Sequence, residues 1–453
     1  MDHDPVTQKT VCIIGAGLTG LVAAYRLAST GYAVILLEST LEAGGMVSSF
    51  TMGKGRIEHI YHHIFTSDQE LIDLSGELGV ADAFRFRETH DALYTDSQLH
   101  PFSGPFDLLR FSPLPLSQRV RTGLCVLKAG RIRDYRPLEQ ETAEHWLRRT
   151  NGPAAYEKIW RPLLRAKFDQ DAGEVSAVWI WNKFKLRGGS RSGKVGRQKL
   201  GTMHGSFHVL VDALVRAIEQ RGGRIHYGYT AMDITNWGQR YQVACILDNC
   251  SQATFTADSV IAAISSRQFA NITTNLTLSE PYLQRVRQVR YKGDLCLVLR
   301  VRKSLSPYYW TTVCDDLPFV VVVEHTHLTG TEDYGGSVIY LSRYLDVSNP
   351  LWIQSDGDIY RQFMAGLKTM YPAFDASDVM DWRLRRTRYA QPVITCGYPD
   401  RQPEMETPAP GVYLAGMAQI YPEDRGMNYA VRIANEAAGL VDQYLRGQAQ
   451  PDP

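Results

Sequence analysis

"KTVCIIGAGLTGLVAAYRLASTGYAVILLEST", Lys9 to Thr40, reads as a strand, a turn, a helix and a second strand. Val11 to Ile14 is apolar and rich in β-formers, and Leu21 to Ala28 carries apolar residues at helical spacing. Between them Gly15, Gly17 and Gly20 form G-x-G-x-x-G. The first glycine permits a tight turn, the second lets backbone approach a pyrophosphate, and the third lets the helix pack close. "AVILLE" then ends the second strand on Glu38, an acid placed to accept hydrogen bonds from a ribose. Strand, glycine turn, helix and acid together predict a dinucleotide held by Gly15, Gly17, Leu18, Thr19, Gly20, Glu38 and Ser39. An acid at Glu38 suits a free 2′-hydroxyl, which means FAD or NAD rather than NADP.

Four later segments decide between the two. "EAGGMVSSF", Glu42 to Phe50, places Gly44 and Gly45 just after the second strand. "LGTMHGSFHVLVDALVRAIEQRGGRIHYGYTAMDI", Leu200 to Ile234, reads as a glycine turn, a helix and a strand. "FTADSVIAAIS", Phe255 to Ser265, is a further strand, and "GVYLAGMAQIYPEDRGMNYAVRIANEAAGLV", Gly411 to Val441, is strand, loop and helix. In this order the segments resemble the FAD-dependent amine-oxidase type of protein, which includes protoporphyrinogen oxidases, carotenoid desaturases and UDP-galactopyranose mutases.

The resemblance implies FAD, with Gly44, Gly45 and Met46 beside it, Ala231 near the adenine, and Gly416, Met417, Asp424 and Asn428 in the flavin cradle. The group usually has Arg or Lys where this chain has Met46, so a basic contact falls to another residue, with Arg56 the candidate. It often has Asp where this chain has Met417, which shifts that contact to Glu423 or Asp424. The implied fold class is α/β: a discontinuous Rossmann-like FAD-binding domain with an inserted α+β substrate domain. The FAD domain would take residues 1–75, 201–265 and 387–453. Residues 76–200 would form a mainly helical substrate lobe and residues 266–386 a mainly sheet one.

At 453 residues the chain is long enough for two or more domains. A hydrophobic fraction of 44% and a charged fraction of 21% are ordinary for a folded protein, and a net charge of +1 gives no field for nucleic acid. The 7 cysteines are scattered without C-x-x-C spacing, as expected in a reducing cytoplasm. No secretory pattern and no long apolar run are evident. "PFSGPFDLLRFSPLPLSQRVRTGLCVLKAG", Pro101 to Gly130, admits two readings: a buried loop and helix with solvated arginines, or a surface that dips into a membrane interface or admits an oily substrate. "RGGSRSGKVGRQKLG", Arg187 to Gly201, reads as a solvated linker or as a loop gripping an anionic group.

Candidates for chemistry cluster in four places. "EHIYHHIFTSD", Glu58 to Asp68, holds His59, His62 and His63 and resembles the histidine-containing stretch of UDP-galactopyranose mutases that lies against the flavin. A metal would need further ligands that no nearby spacing supplies, so no metal is expected; His62 or His63 at the flavin is. Trp160, Arg165, Lys167 and Trp179 belong to a helical stretch that is either core or anion-binding. Tyr308, Tyr309, Trp310, Glu324 and His325 end or begin strands, with Glu324 and His325 an acid–base candidate. "IYPEDRGMNYAVR" opens the last helix and offers Arg425 as an anion contact and Tyr429 beside it.

The leading expectation is an FAD-dependent oxidoreductase that removes a hydride from a C–H bond of a small ring, isoprenoid or sugar-type substrate, nucleotide- or lipid-linked in some versions of the reading. The rivals are a redox-neutral isomerase similar to UDP-galactopyranose mutase and a flavin-binding partner protein without turnover. Localisation is expected to be cytoplasmic, with peripheral membrane contact as the open variant.

Overall fold

The computed structural model describes residues 8–189 and 198–448, so the centre of the glycine-rich basic run, 190–197, lies outside the described residues. A five-stranded parallel sheet runs in the order Arg224–Tyr227, Ala33–Glu38, Thr10–Ile14, Ser259–Ala262, Val412–Leu414. Its three central strands are apolar except at Thr10, Glu38 and Ser259, because both faces are covered. Alternate side chains go to opposite faces: Val11, Ile13, Leu36 and Ile261 join one core, while Cys12, Ile14, Leu37, Val260 and Ala262 join another. The first core is closed by the helices Leu18–Ser29, His208–Gln220 and Met427–Gly447. The second is closed by an antiparallel meander, Tyr229–Trp237, Arg240–Leu247 and Gln252–Ala257, together with the helices Ser266–Ile272 and Glu280–Gln288. The α/β class and the Rossmann-like core stand.

A second sheet has seven strands in the order Val379–Pro392, Tyr291–Val301, Ser337–Leu345, Val321–Glu324, Trp310–Val313, Asp91–Thr95, Gln98–Pro101. All neighbours are antiparallel except Trp310–Val313 beside Asp91–Thr95. One face, with Leu295, Leu297, Leu299, Ile339 and Leu341, packs on the helix Asp356–Met370. The other, with Cys296, Val298, Val323 and Tyr340, packs on Ile57 and Ile60 at the histidine run. The stretch read as mainly helical therefore also supplies two strands of this sheet. Its helices form their own core around Trp146, Trp160, Trp179 and Trp181.

Candidate active site

A cavity of about 830 Å³ runs from the glycine turns of the parallel sheet to the inner face of the seven-stranded sheet. At one end Gly15 sits at φ +99°, where an added Cβ would meet the Ala263 carbonyl oxygen at 2.8 Å. Gly45, at φ +57°, faces the Gly17 backbone, and the Gly44 amide donates to the Ala16 carbonyl at 2.8 Å. The two glycine loops thus make one cradle that side chains would fill. The helix Leu18–Ser29 starts there without a side-chain cap, so its first amides stay available to an anion. Glu38 is buried in the cavity wall, and its carboxylate accepts from the amides of Ala16 and Thr40, both at 2.8 Å. A pyrophosphate at the amides and a ribose at Glu38 suit this donor set.

The other end is aromatic and cationic. Trp160, Trp179 and Trp310 line it, and the indole nitrogens of Trp160 and Trp179 are buried without a hydrogen-bond partner. Arg425 donates to the Tyr344 hydroxyl at 2.6 Å and to the Gln391 side-chain oxygen at 3.0 Å. Gln391 in turn donates to Asp424 at 3.0 Å, and Lys183 donates to the second oxygen of Asp424 at 2.5 Å. Burial alone would raise the Asp424 carboxyl, but Lys183, Lys167 and Arg425 together hold it well below the usual range. Lys167 places its ammonium 3.9 Å from the centre of the Tyr344 ring. Burial, with Arg425 close by, depresses the Lys167 ammonium well below the ordinary lysine range. Behind Tyr344, Asp294 accepts from the Ser342 hydroxyl at 2.6 Å, and burial pushes its carboxyl up to about 6.

The histidine run crosses between the two ends. His62 and His63 line the cavity. His62 Nδ1 lies 2.7 Å from the Ile60 carbonyl oxygen, which can only accept, so Nδ1 carries the proton and Nε2 is bare. Burial holds the His62 ring down to about 4. His63 Nδ1 pairs with the Tyr309 hydroxyl at 3.0 Å. His59 turns away from the cavity and stacks on Phe50 at 4.7 Å.

Most of the residues singled out from sequence line this cavity: Gly15, Gly17, Leu18, Thr19, Glu38, Ser39, Gly44, Gly45, Met46, Gly416, Met417, Asp424, Arg425, Asn428 and Tyr429. Asn428 also accepts from the Leu71 amide at 3.1 Å, and Tyr429 lies under the Arg432 guanidinium. Four expectations need correction. His325 is buried behind Tyr309 and Tyr340 with neither ring nitrogen hydrogen-bonded, and its partner Glu324 faces away, accepting from the amides of Leu305 and Ser306. Ala231 lies in the antiparallel meander opposite Cys245, off the cavity wall. Gly20 packs as expected, an added Cβ coming within 1.9 Å of the Gly15 carbonyl oxygen, but it lies off the cavity wall and does not itself hold the dinucleotide. Arg56 is spent on Ser49, donating to its hydroxyl at 3.1 Å and its carbonyl at 3.0 Å. Of the two proposed stand-ins for the missing acid at Met417, Asp424 lines the cavity, whereas Glu423 pairs with Arg432 at 2.8 Å. Lys183, Tyr344, Arg385, Arg388 and Gln391 were not singled out; the run "RLRRTRYAQP" carried a usable signal in its arginines on a strand.

A model of the family described as flavin containing amine oxidoreductase matches residues 18–441. The chain belongs to that family. FAD is its cofactor, and the cradle fits it. A zeta-carotene desaturase of Synechocystis sp. is 24% identical over 280 residues, 56% of this chain and 57% of the desaturase. The chain thus spans about half the length of such desaturases. The flavin-dependent L-tryptophan oxidase RebO of Lentzea aerocolonigenes is 25% identical over 461 residues, covering 93% of this chain and 86% of the oxidase. Among solved structures, cyclohexylamine oxidase from Brevibacterium oxydans IH-35A superposes with a TM-score of 0.74 at 15% identity, covering 97% of this chain and 100% of that one. Reduced UDP-galactopyranose mutase superposes equally well, TM-score 0.74 at 16% identity over 97% and 96% of the chains. One amine oxidoreductase fold therefore accommodates an oxidase and a mutase, and the chemistry has to be read from the cavity.

Proposed function

We propose that this family member is an FAD-dependent oxidoreductase acting on a C–H bond of a small molecule that pairs an apolar or ring body with an anionic group. The observation that carries the reading is Lys167 and Arg425: two cations in the cavity wall, neither in a direct ion pair among the described residues. A half-buried cation in a cavity wall without a direct counter-ion marks a site that awaits one. Arg425, fixed by Tyr344 and Gln391, is the anchor for the anion. Burial disfavours the Lys167 ammonium, and an arriving anion would favour its charged form. The tryptophans hold the apolar body and exclude water, and the free indole N–H groups of Trp160 and Trp179 add donors for its polar atoms. Bound FAD supplies the two-electron acceptor for the hydride at its N5. His62, whose ring stays neutral near physiological pH, offers Nε2 as a hydrogen-bond acceptor that orients the reacting end.

A second reading is favoured by one observation. Arg385 and Arg388 add guanidinium groups to the same wall, which would suit the diphosphate of a sugar nucleotide and a redox-neutral isomerisation. The test of the anion site is a titration of FAD-loaded protein with indole-3-acetate, laurate and inorganic pyrophosphate, followed by the flavin spectrum and by calorimetry in two buffers. The first two should perturb the flavin, and Arg425→Met should abolish the response. Perturbation by pyrophosphate alone would favour the second reading, and no response to any of the three would sink the anion site.

A further inference from the structure

The helices Pro105–Arg110 and Leu116–Ala129 carry an apolar face left exposed among the described residues. Phe106, Leu109, Leu116, Val120, Leu124 and Leu127 are between 46% and 66% exposed. At 3.6 residues per turn, Leu116, Val120, Leu124 and Leu127 fall within about 80° of arc. The buried residues of the same helix, Thr122, Cys125 and Ala129, fall on the opposite side, where the Ala129 carbonyl accepts from the Trp181 indole at 2.9 Å. The outward leucines are therefore a second apolar face on a helix whose core-facing side is already satisfied.

Cations flank that face. By the same helical arithmetic Arg119 lies along one edge and Arg121 and Lys128 along the other; Arg110, Arg131 and Arg133 sit in the adjoining turns. Arg119 donates to the carbonyls of Leu109 and Leu114, and Arg121 to those of Arg149 and Thr150. These bonds fix the guanidinium groups without neutralising them, and among the described residues none of the six cations forms an ion pair. The one acid in the stretch, Asp107, is committed to the amides of Ser103 and Gly104.

We infer that this helical pair docks on the interface of a bilayer containing anionic phospholipid. A central apolar stripe with basic edges is the pattern of an in-plane interfacial helix, with leucines among the acyl chains and cations at the headgroups. A second copy of the chain would bring six like charges against six, so the charge pattern selects an anionic lipid surface. No described helix is long and apolar enough to cross a membrane, and the contact is peripheral. The placement is functional, because the helix Ala177–Gly189 joins the two regions. Its Trp181 is anchored to the docking helix, while Trp179, Ile180 and Phe184 line the cavity.

The test is cosedimentation of full-length FAD-loaded protein with vesicles, read without reference to turnover. Protein should pellet with vesicles of equal parts phosphatidylcholine and phosphatidylglycerol, and at least about ten-fold less with phosphatidylcholine alone. Leu116→Glu/Leu124→Glu, at exposed positions, should lower partitioning by at least about ten-fold with FAD content unchanged. Arg110→Gln/Lys128→Gln should weaken binding to the anionic vesicles without touching the stripe. Wild-type protein that stays in the supernatant with every vesicle overturns the inference. So does equal pelleting of the glutamate variant, or a dimer in sedimentation velocity that this variant abolishes while no vesicle binds.

Discussion

Arg425 donates to the Tyr344 hydroxyl at 2.6 Å, joining the loop before the last helix to the strand Ser337–Leu345 of the other sheet. The bond spans the cavity's two walls and fixes a guanidinium that also reaches Gln391. Tyr344→Phe removes one charge-assisted hydrogen bond, worth roughly 1.5–3 kcal/mol. The expected result is about a ten-fold or greater rise in the dissociation constant of an anionic ligand, with FAD content intact. Equilibrium binding of indole-3-acetate to both proteins checks it. Equal affinities would mean that Tyr344 does not position Arg425.

Glu38 has two tasks. It offers its carboxylate to the cavity while bonding the amides of Ala16 and Thr40, so it shapes the turn it serves. Glu38→Ala should weaken FAD binding by about ten- to a hundred-fold, the equivalent of one or two bonds to a charged group. Fluorescence titration of the stripped protein with FAD measures this directly. Full affinity in the variant would contradict the placement of the ribose.

His62 is neutral above about pH 4 because burial disfavours its cation. It should therefore contribute no limb to the kcat/KM profile across about pH 5–8, the window in which an unperturbed histidine titrates. His62→Gln should lower the rate while leaving the shape of the profile unchanged. A limb present in the wild type and lost in this variant would show that His62 is a proton carrier.

Glu58 lies behind the histidine run, accepting from the Phe207 amide at 2.6 Å, with its second oxygen unbonded. Burial pushes its carboxyl from 4.5 up to about 7. Because the folded value is the higher one, the stability linked to this proton is complete below the unfolded value and is lost as pH rises through about 7. Thermal melts between those limits should show a falling Tm that Glu58→Gln flattens. Parallel slopes in the two proteins would remove Glu58 from the account.

The nucleotide end was legible because its geometry is written locally. Glycines at Gly15, Gly44 and Gly45 report turns whose backbone has no room for a side chain, and Glu38 closes the strand they serve. The substrate end is assembled from afar. Lys183 meets Asp424 across 241 positions of sequence and Tyr344 meets Arg425 across 81, and no short motif encodes such pairings. Glu324 and His325 misled because the strand ends at Glu324, whose carboxylate turns to the amides of Leu305 and Ser306, while His325 takes helical backbone at the cap of the next short helix and is buried behind Tyr340. Ala231 misled for a related reason: the meander bulges between Ala231 and Asp233, which a pattern of alternation does not reveal.

Net two-electron oxidation shows itself in an anaerobic electron balance. Oxidised FAD-loaded protein would be mixed without oxygen with a panel of aromatic amino acids, cyclic amino acids and isoprenoid acids, and the visible flavin band followed. The account predicts stoichiometric bleaching by at least one compound, recovery on admitting an acceptor, and loss of bleaching in Arg425→Met. No bleaching by any of them, with the reduced protein instead interconverting UDP-galactopyranose and UDP-galactofuranose without consuming an acceptor, would contradict it.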